Sequence, residues 1–500
     1  MGEEAKKTLQ QRKQTKKPLV LASVMLAMFM GAIEATIVST AMPAIVADLG
    51  GFTLYSWVFS AYLLMNSITV LIYGKLSDLF GRRPILTFGI ILFLIGSILC
   101  GFATSMQMLI IFRLIQGFGA GAVAPIATTI VGDIYTPEER AKIQGYLSSV
   151  WGISAITGPA IGGLLVQYVS WKYVFWINVP LGILSLIGLW LFLHENVQQK
   201  KHEIDYGGAV LLTITISTIM LLLVEGGSRW SWGSWQALGL LVLALIALCA
   251  FVFQEGRANE PMMPFSIWKQ KSIFIANIVS LTTGIMLIGI SSFLPTFVQG
   301  VMEKTPIVAG FTLTTMSIGW PIASTLSGRM LISIGYRKTS IIGGVFLIIG
   351  SIAFVTMSAS SGPLWAAVGS FLVGAGMGLT STAFIVSIQS TVGWEQRGIA
   401  TAANMFMRNL GNTIGAALLG GILNNRMMNY FQQKAAELTV DDANKLLKAE
   451  ERANLSSSIK TILQNGLTNS LHSVYYVVLA FAVISLLFIL FIPKSNERSV

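Results

Sequence analysis

About fourteen long apolar runs limit what this chain of 500 residues can fold into. Most of them approach or exceed the roughly 20 residues that a helix needs to cross a lipid bilayer. Because a backbone inside a bilayer has to satisfy its own hydrogen bonds, runs of this length form helices. The sequence therefore predicts an all-α polytopic membrane protein, with apolar runs near residues 19–42, 55–75, 85–103, 106–131, 143–168, 172–193, 206–225, 235–254, 272–301, 307–333, 339–358, 363–391, 398–424 and 472–493.

The composition excludes several classes of protein. Hydrophobic residues make up 54% of the chain and charged residues 11%, whereas soluble domains average about 25% charged residues. A soluble enzyme with one large core is thus excluded. The formal net charge of +11 would indicate a nucleic-acid partner in a soluble protein, but here the basic residues lie in short loops between apolar runs. Such loops are typical of the cytoplasmic flanks of membrane helices, so we expect a lipid bilayer and no nucleic acid as the partner.

The chain also lacks common motifs of ATP-driven and catalytic proteins. It contains no G-x-x-x-x-G-K-[ST] loop for nucleotide phosphates and no H-E-x-x-H metalloprotease motif. The two cysteines, Cys100 and Cys249, both lie in apolar runs, so neither a disulfide nor a metal site is expected. We therefore expect no enzymatic activity, no cofactor and no metal.

The positions of lysine and arginine predict the orientation in the membrane. Basic residues are concentrated before the first run and in alternate loops, while the opposite loops are nearly free of them. The positive-inside rule places both termini in the cytoplasm. We expect a multi-pass protein of the cell membrane.

The chain divides into a basic cytoplasmic tail (1–17), a six-helix bundle (18–196), two inserted helices (197–256) and a second six-helix bundle (257–495). The loop GKLSDLFGRRP after the second helix is echoed by SGRMLISIGYRK after the tenth. Two homologous halves predict a substrate site at their interface, near the midplane of the membrane. The second bundle includes an outer segment, 425–470, for which an amphipathic helix and a disordered tether are both open.

One carboxyl group lies well inside the first apolar run. Ionisable groups at that depth are costly, and they pair, line a wet cavity or carry protons. Glu34 lies about two-thirds of the way out along the first helix. Arg113 reaches a similar depth on the fourth helix, at about 1.5 Å per residue. The pair is either a permanent neutralising salt bridge or a proton-coupling site in which the carboxyl pKa follows hydration and cavity occupancy.

Other polar and aromatic side chains are candidates for contact with a substrate. Arg408, in the thirteenth helix, is the second-half counterpart of Arg113, and it either pairs with backbone carbonyls or contacts substrate. Each aromatic candidate is equally suited to ordinary packing. The substrate-binding candidates are Glu34, Tyr62, Gln116, Trp151, Gln299, Asn404 and Arg408.

The loop GKLSDLFGRRP is the most specific local motif. Gly74 and Gly81 permit tight backbone geometry. Asp78 can lie near a helix start in the other bundle, while Arg82 and Arg83 offer ion-pair partners. An ion-pair latch between bundles would suit a gate, and basic flanks that only set the topology are the alternative.

The fifth helix provides a second set of gating candidates. Ser154, Gly158 and Gly162 are spaced by four residues, so another helix can approach this face closely. Pro159 is expected to kink the helix, and Gly163 extends the small-residue face. Simple tight packing is the alternative.

Together these motifs resemble the major facilitator superfamily, and within it the fourteen-helix drug:proton antiporters of the EmrB/QacA type. GKLSDLFGRRP resembles the superfamily loop motif. RLIQGFGAG, which begins at Arg113, resembles the fourth-helix motif, whose arginine is linked to proton coupling. The fifth-helix residues resemble the antiporter motif, with Ser154 where the family has Gly. IEATIVSTAMP resembles the first-helix motif of the subfamily, which usually carries Asp where this chain has Glu34, and WKYVFWINVPLG at 171–182 resembles a sixth-helix signature.

The resemblance covers nearly the whole chain and implies alternating access by rocking of two bundles. We therefore expect a monomeric, proton-coupled antiporter that exports lipophilic, cationic or amphipathic small molecules, with Glu34 and Arg113 as the proton-coupling residues. Two alternative functions remain open. One is a dedicated exporter of a single metabolite, peptide or lipid, and the other is a membrane receptor that transports nothing.

Overall fold

The computed structural model describes residues 15–135, 137–195, 205–226, 229–258, 268–392, 397–435 and 437–493. Within these ranges the regular structure is helical, apart from one isolated bridge between Gly226 and Trp230. The helices are α1 (Lys17–Leu49), α2 (Tyr55–Phe80), α3 (Arg82–Gly101), α4 (Met106–Ala120), α5 (Val123–Ile134), α6 (Pro137–Tyr168), α7 (Tyr173–Trp176), α8 (Asn178–Phe192), α9 (Tyr206–Glu225), α10 (Trp235–Arg257), α11 (Lys271–Thr296), α12 (Pro306–Val355), α13 (Gly362–Thr391), α14 (Arg397–Lys434), α15 (Asn444–Leu447), α16 (Ala449–Ala453) and α17 (Ser457–Leu490).

Twelve helical stretches in the described part of the chain are long and apolar enough to cross a membrane. This confirms the prediction of an all-helical polytopic protein. One of the twelve is α12, a helix of 50 residues with a break at Gly335, where φ is 78° and ψ is 165°. The long helix α14 is not among the twelve. The predicted count of fourteen crossings stays a prediction.

In the first half, as helices α1 to α8 are called here, α6 packs closely against the middle of α1. A Cβ atom on Gly158 of α6 would lie 1.9 Å from Thr36 Oγ1 of α1. Only glycine therefore allows α6 to approach α1 this closely. Because Thr36 lies two residues after Glu34, this contact fixes the position of α6 relative to the buried carboxyl group.

The inserted helices α9 and α10 lie beside the bundle. Trp57 Nε1 of α2 donates a hydrogen bond to Glu225 Oε1 of α9 at 3.0 Å. On the other side of α9, a Cβ on Gly421 of α14 would lie 2.0 Å from Leu223 O. Helix α9 therefore contacts both the first half and the second half, which comprises α11 to α17.

The helix bundle has two ends, which are called here the terminal face and the far face. The terminal face carries Lys16, whose backbone N–H donates to Phe192 O at 3.3 Å. The far face, at the other end, carries Thr53 and Gln299.

Polar contacts join the two halves from the far face down to the middle of the helices. Tyr55 OH of α2 donates a hydrogen bond to Ser292 O of α11. Near the middle, Ser67 Oγ of α2 and Thr413 Oγ1 of α14 lie 3.0 Å apart. The described contacts between the halves thus close the far side of the protein.

Direct backbone packing reinforces this closure. A Cβ on Gly310 of α12 would lie 2.2 Å from Pro159 O of α6, and one on Gly163 would lie 2.9 Å from Ile307 Cα. Helices α6 and α12 therefore touch without intervening side chains. The face of small residues predicted on the fifth helix thus contacts α1 and, through Pro159 and Gly163, the opposite half.

The outer segment 425–470, whose structure the sequence leaves open, is partly occupied by the two helices that flank it. Helix α14 continues to Lys434 and α17 begins at Ser457, so both extend into the predicted loop 425–470. Between them, a 3-10 turn (Val440–Ala443) precedes α15 and α16. The side chain of Leu446 is fully buried. In its described part, the segment 437–456, here called the strap, is therefore packed against the bundle and is neither one long helix nor a free tether.

The strap spans both halves at the far face. Thr53 N, in the first half, donates to Asp441 Oδ1 at 3.1 Å. Arg452 Nη1 donates to Gln299 O, in the second half, at 3.2 Å. Opening the far face would break at least one of these contacts.

Glu303, just after the π turn Phe297–Val301, holds the start of α17. Its carboxylate accepts hydrogen bonds from Lys460 Nζ at 2.7 Å and Gln464 Nε2 at 2.6 Å. The Lys460 hydrogen bond is the main cause that lowers the pKa of Glu303. The carboxylate therefore stays ionised and paired at neutral pH.

We expect Gly310→Val to open the far face, because the new side chain would overlap the backbone of α6. The measurement is labelling of a Thr40→Cys reporter by a membrane-impermeant thiol reagent in a Cys100→Ser/Cys249→Ser background. Thr40 is fully buried, so labelling should be slow in the parent and faster in the Gly310 variant. Gly328→Val is the matched control on the same helix, since a Cβ there would meet no atom within 4 Å. Equal labelling of the two variants would contradict the packing argument.

Candidate functional site

Glu34 and Arg113 form a buried ion pair inside the first half. Arg113 Nη1 donates to Glu34 Oε1. The exposed fraction of the side chain is 0% for Glu34 and 2% for Arg113. The second carboxylate oxygen, Oε2, accepts a hydrogen bond from Asn178 Nδ2 at 2.6 Å. Both oxygens of Glu34 are therefore occupied by donors from other helices.

Arg113 makes several further contacts. Its Nε donates to Val58 O at 3.2 Å, and Nη1 also donates to Gln116 Oε1 at 2.7 Å. The guanidinium carbon lies 4.1 Å from the centre of the Tyr62 ring and 5.9 Å from that of Phe175. Cation–π contacts of this kind stabilise a cation removed from water. Tyr62 and Gln116, two substrate-binding candidates, are thus placed on the ion pair itself.

A serine closes the network into a ring. Ser97 Oγ accepts from Gln116 Nε2 at 2.8 Å and from Asn178 Nδ2 at 3.2 Å. Side chains from α1, α3, α4 and α8 are linked in this way. A buried ion pair is tolerated only when its remaining hydrogen-bond donors and acceptors have partners. The ring provides partners for most of them. Asn178 Oδ1 is buried without a hydrogen-bond partner in the described structure.

The fifth-helix candidates lie next to this ring. Thr36 Oγ1 donates to Ser154 O at 3.3 Å and to Ile33 O at 3.0 Å. Ser154 is fully buried. A Cβ on Gly162 would lie 2.9 Å from Ile37 O. Helix α6 therefore contacts the helix of Glu34 on one side and, through Pro159 and Gly163, α12 of the second half on the other.

The loop motif forms a polar cluster at the terminal face. Gly81 has a φ of 97°, which favours glycine, and ends α2. The backbone N–H groups of Arg82 and Arg83 donate to the Glu195 carboxylate at 2.7 and 3.0 Å. Arg82 Nε also pairs with Asp133 at 3.3 Å. A carboxylate at a helix start is favoured by the helix dipole.

These contacts of Arg82 and Arg83 all lie within the first half, and an ion-pair latch between the bundles stays a prediction. Arg83 also stacks on Trp190 at 3.8 Å. A Cβ on Gly74 would meet no atom within 4 Å. The side chain of Asp78 lies outside the described residues, so its predicted role is untested.

Two more candidates lie in the second half and line one recess. Asn404 and Arg408 of α14 face Trp320 of α12 across it. The guanidinium carbon of Arg408 lies 5.9 Å from the Trp320 ring centre. The recess and the Glu34 ring are thus separate sites in different halves.

Two substrate-binding candidates lie elsewhere. Gln299 is buried at the far face, where its Nε2 donates to Thr40 O at 3.4 Å. In this state it belongs to the contact between the halves. Trp151 on α6 has 48% of its surface exposed.

Asn178, Ser97 and Phe175 were missed as site residues by the sequence analysis. Asn178 lies in WKYVFWINVPLG, where it is an amide in an otherwise apolar stretch. A polar side chain in such a stretch is a signal that it has a partner inside the bundle. Ser97 carries no comparable signal, because small hydroxyl residues are frequent in membrane helices.

No group of three or more His, Cys, Asp or Glu residues that could bind a metal occurs in the described part of the chain.

Comparison with known proteins identifies relatives over nearly the full length. The profile of the Major Facilitator Superfamily matches residues 24–416. The multidrug transporter protein MdtP of Bacillus subtilis is 34% identical over 516 aligned residues, covering 97% of this chain and 95% of that protein. Multidrug resistance protein 3 of Bacillus subtilis is 33% identical and covers 97% of each chain. Among solved structures, a bacterial homologue of the human lysosomal transporter Spinster, in an inward-facing state, aligns with a TM-score of 0.66 and 16% identity, covering 94% of this chain and 96% of that one.

We expect the ion pair to dominate the stability of the first half. Glu34→Gln leaves the buried Arg113 charge uncompensated, and removing one partner of a buried pair costs about 3–5 kcal/mol in soluble proteins. The double variant Glu34→Gln/Arg113→Gln removes both charges and should be more stable than either single variant. The measurement is a double-mutant cycle by thermal unfolding in detergent. Additive effects of the two substitutions would contradict the ion pair.

Proposed function

The chain belongs to the Major Facilitator Superfamily, and from that premise we propose that it exports amphipathic small molecules in exchange for protons. Relatives at 34% and 33% identity are named as multidrug proteins, which supports efflux of this kind. The exchange with protons rests on one observation in this chain, the buried Glu34–Arg113 pair.

We further propose the fourteen-helix plan of the EmrB/QacA type. The break at Gly335 divides α12 into two parts, 306–334 and 336–355, each long enough to cross a bilayer. Helix α14, with 38 residues, is also long enough, although it is rich in polar residues. The division of α12 adds one crossing and α14 adds another, so the twelve candidate spans become fourteen.

With both termini in the cytoplasm, the far face is the external face. The contacts between the halves at Tyr55 and Gly310 then support a state closed to the outside. The similarity to a solved inward-facing transporter is compatible with this assignment. The transport site lies within one chain, so a monomer suffices.

The proposed coupling uses the position of Glu34 on α1. Glu34 bonds Arg113 of α4, and two residues later Thr36 packs against Gly158 of α6. Protonation of Glu34 removes the charge that holds Arg113, and the ring of Gln116, Ser97 and Asn178 has to rearrange. Because α6 contacts α1 at Gly158 and α12 at Gly310, a shift of α1 changes the contact between the halves. Through this linkage, protonation of Glu34 changes the contact between the halves that closes the far face.

The gating residues act at opposite ends in this proposal. Gly158, Pro159, Gly162 and Gly163 with Ser154 allow close packing of α6 at the closed far face. At the terminal face, the cluster of Arg82, Arg83 and Glu195 fixes the ends of α3 and α8, so the first half moves as one body. Alternating access then needs only rocking of the two halves.

The driving force is large enough for concentrative export. A membrane potential of about 100 mV contributes roughly 2.3 kcal/mol per charge moved, to which a pH gradient adds. A free energy of this size corresponds to accumulation of tens-fold, since about 1.4 kcal/mol is a factor of ten.

We expect Glu34→Gln to abolish efflux driven by a pH gradient, since an amide cannot exchange a proton. Glu34→Asp keeps the carboxyl on a shorter arm and should retain part of the activity. The measurement is uptake of a fluorescent amphipathic dye, selected because the parent protein transports it, into inverted vesicles with an imposed pH gradient. Glu225→Gln is the control, because that carboxyl lies at the end of α9 and bonds Trp57; it should retain the response. Full activity of Glu34→Gln at unchanged expression would overturn the proposal.

A further inference from the structure

The two mid-membrane sites differ in whether their charge is available to a ligand. Glu34 is fully buried, and both of its oxygens accept hydrogen bonds from Arg113 and Asn178. Arg408 lines a recess, is only partly buried, and has no carboxylate partner among the described residues. The accessible charge in this state is therefore positive. We propose that the Arg408 recess binds the oxyanion head group of an amphipathic substrate, such as a carboxylate or a sulfonate.

Among the residues that the structure describes, Arg408 has no internal counter-ion. Between Lys271 and Lys434 the sequence contains only two acidic residues, Glu303 and Glu395. Glu303 is paired with Lys460 at the far face, and Glu395 lies outside the described residues. A guanidinium in a low-dielectric site without a counter-ion attracts an anion strongly.

The lining of the recess suits a head group with an apolar body. In this state its cavity volume is about 20 Å³, room for about one water molecule, so a head group enters the recess as the lining side chains move apart. The hydroxyl groups of Ser280 and Ser381 line the recess beside the guanidinium, whereas those of Thr283 and Thr380 donate to backbone carbonyls of their own helices. Leu287, Met377 and Phe384 supply apolar contacts. The polar lining residues are Ser280, Thr283, Thr380, Ser381, Asn404 and Arg408.

The base of Arg408 is held rigidly. Asn404 Nδ2, one helical turn before it, donates to Ser280 Oγ at 2.8 Å, Ala276 O at 3.1 Å and Asn277 Oδ1 at 3.1 Å. A Cβ on Gly284 of α11 would lie 2.3 Å from Arg408 O. Helices α11 and α14 are thus in backbone contact beside the recess. A fixed base lowers the entropy that Arg408 would lose on binding an anion.

The geometry of the arginine favours oxyanions in particular. A guanidinium presents a planar fork that matches a carboxylate with two parallel hydrogen bonds. A cationic substrate would instead face an uncompensated like charge. The expectation of a cationic substrate depended on Glu34 facing the cavity, and in this structure that side chain is sealed and paired.

This inference rests on the proposed function for its physiological meaning, but binding can be measured separately from transport. Three probes share one pyrene body and four-carbon chain and differ in the head group: pyrenebutanoate, its amide, and a trimethylammonium analogue. Equilibrium binding to the purified full-length protein in nanodiscs is followed by pyrene fluorescence. We expect the carboxylate to bind at least tenfold more tightly than the ammonium probe, with the amide between them.

Two variants test the assignment of the residue. Arg408→Gln should weaken carboxylate binding by about 10- to 100-fold, the range for loss of a charged hydrogen bond, and should affect the amide much less. Arg408→Lys keeps the charge without the fork, so it should bind the carboxylate with intermediate affinity. Met405→Glu places an anion at an exposed position on the lining and should reverse the preference towards the ammonium probe, which keeps the test decisive if Arg408→Gln fails to fold.

Equal or tighter binding of the ammonium probe to the parent protein would overturn the inference. So would an unchanged preference in both Arg408→Gln and Met405→Glu. Failure of the proposed function would look different: the carboxylate preference would persist in nanodiscs, while none of the three probes would be moved by a pH gradient in vesicles.

Discussion

The whole arrangement depends on the ion pair between Glu34 and Arg113, buried where a bilayer would offer no water. An unpaired charge at that depth is expensive, so the first half has to supply partners for both groups. It does so with Asn178 of α8 on the carboxylate, and with Gln116 of α4 and Tyr62 of α2 on the guanidinium. Together with Ser97 of α3, these partners fix the relative positions of α1, α2, α3, α4 and α8. A site satisfied in this way is stable while the pair is ionised and rearranges when one charge is lost.

The second constraint is the close approach of α6 to its neighbours at glycine positions. Thr36 of α1 fits against Gly158, and Pro159 of α6 fits against Gly310 of α12. Packing this close transmits small movements, because there are no flexible side chains to absorb them. Helix α6 therefore contacts α1 close to Glu34 and also closes the far face by its contact with α12. This physical continuity is the basis for linking protonation to alternating access.

Much of this could be predicted from the sequence, for identifiable reasons. Apolar run length predicted the membrane helices, and matched depth on two helices predicted that Glu34 and Arg113 meet. Asn178 and Ser97 were missed, because which amide or hydroxyl completes a buried ring depends on helix rotation that run length does not specify. The contact of Arg82 and Arg83 with Glu195 was also missed, because Glu195 lies in a polar break whose fold the sequence pattern does not constrain. The sequence does not decide the structure of the strap, because its order comes from tertiary contacts such as that of Asp441 with Thr53. Short polar helices have no strong sequence signal of their own.

The central claim is that export and proton entry are one obligatory exchange, and proton movement driven by substrate tests it most directly. Purified protein is reconstituted into liposomes with a pH-sensitive dye in the lumen and no imposed pH gradient, and a substrate gradient is then applied. The account predicts that substrate flow in one direction drives protons in the other, in the parent protein and not in Glu34→Gln. Substrate movement without any proton movement in the parent protein would contradict it.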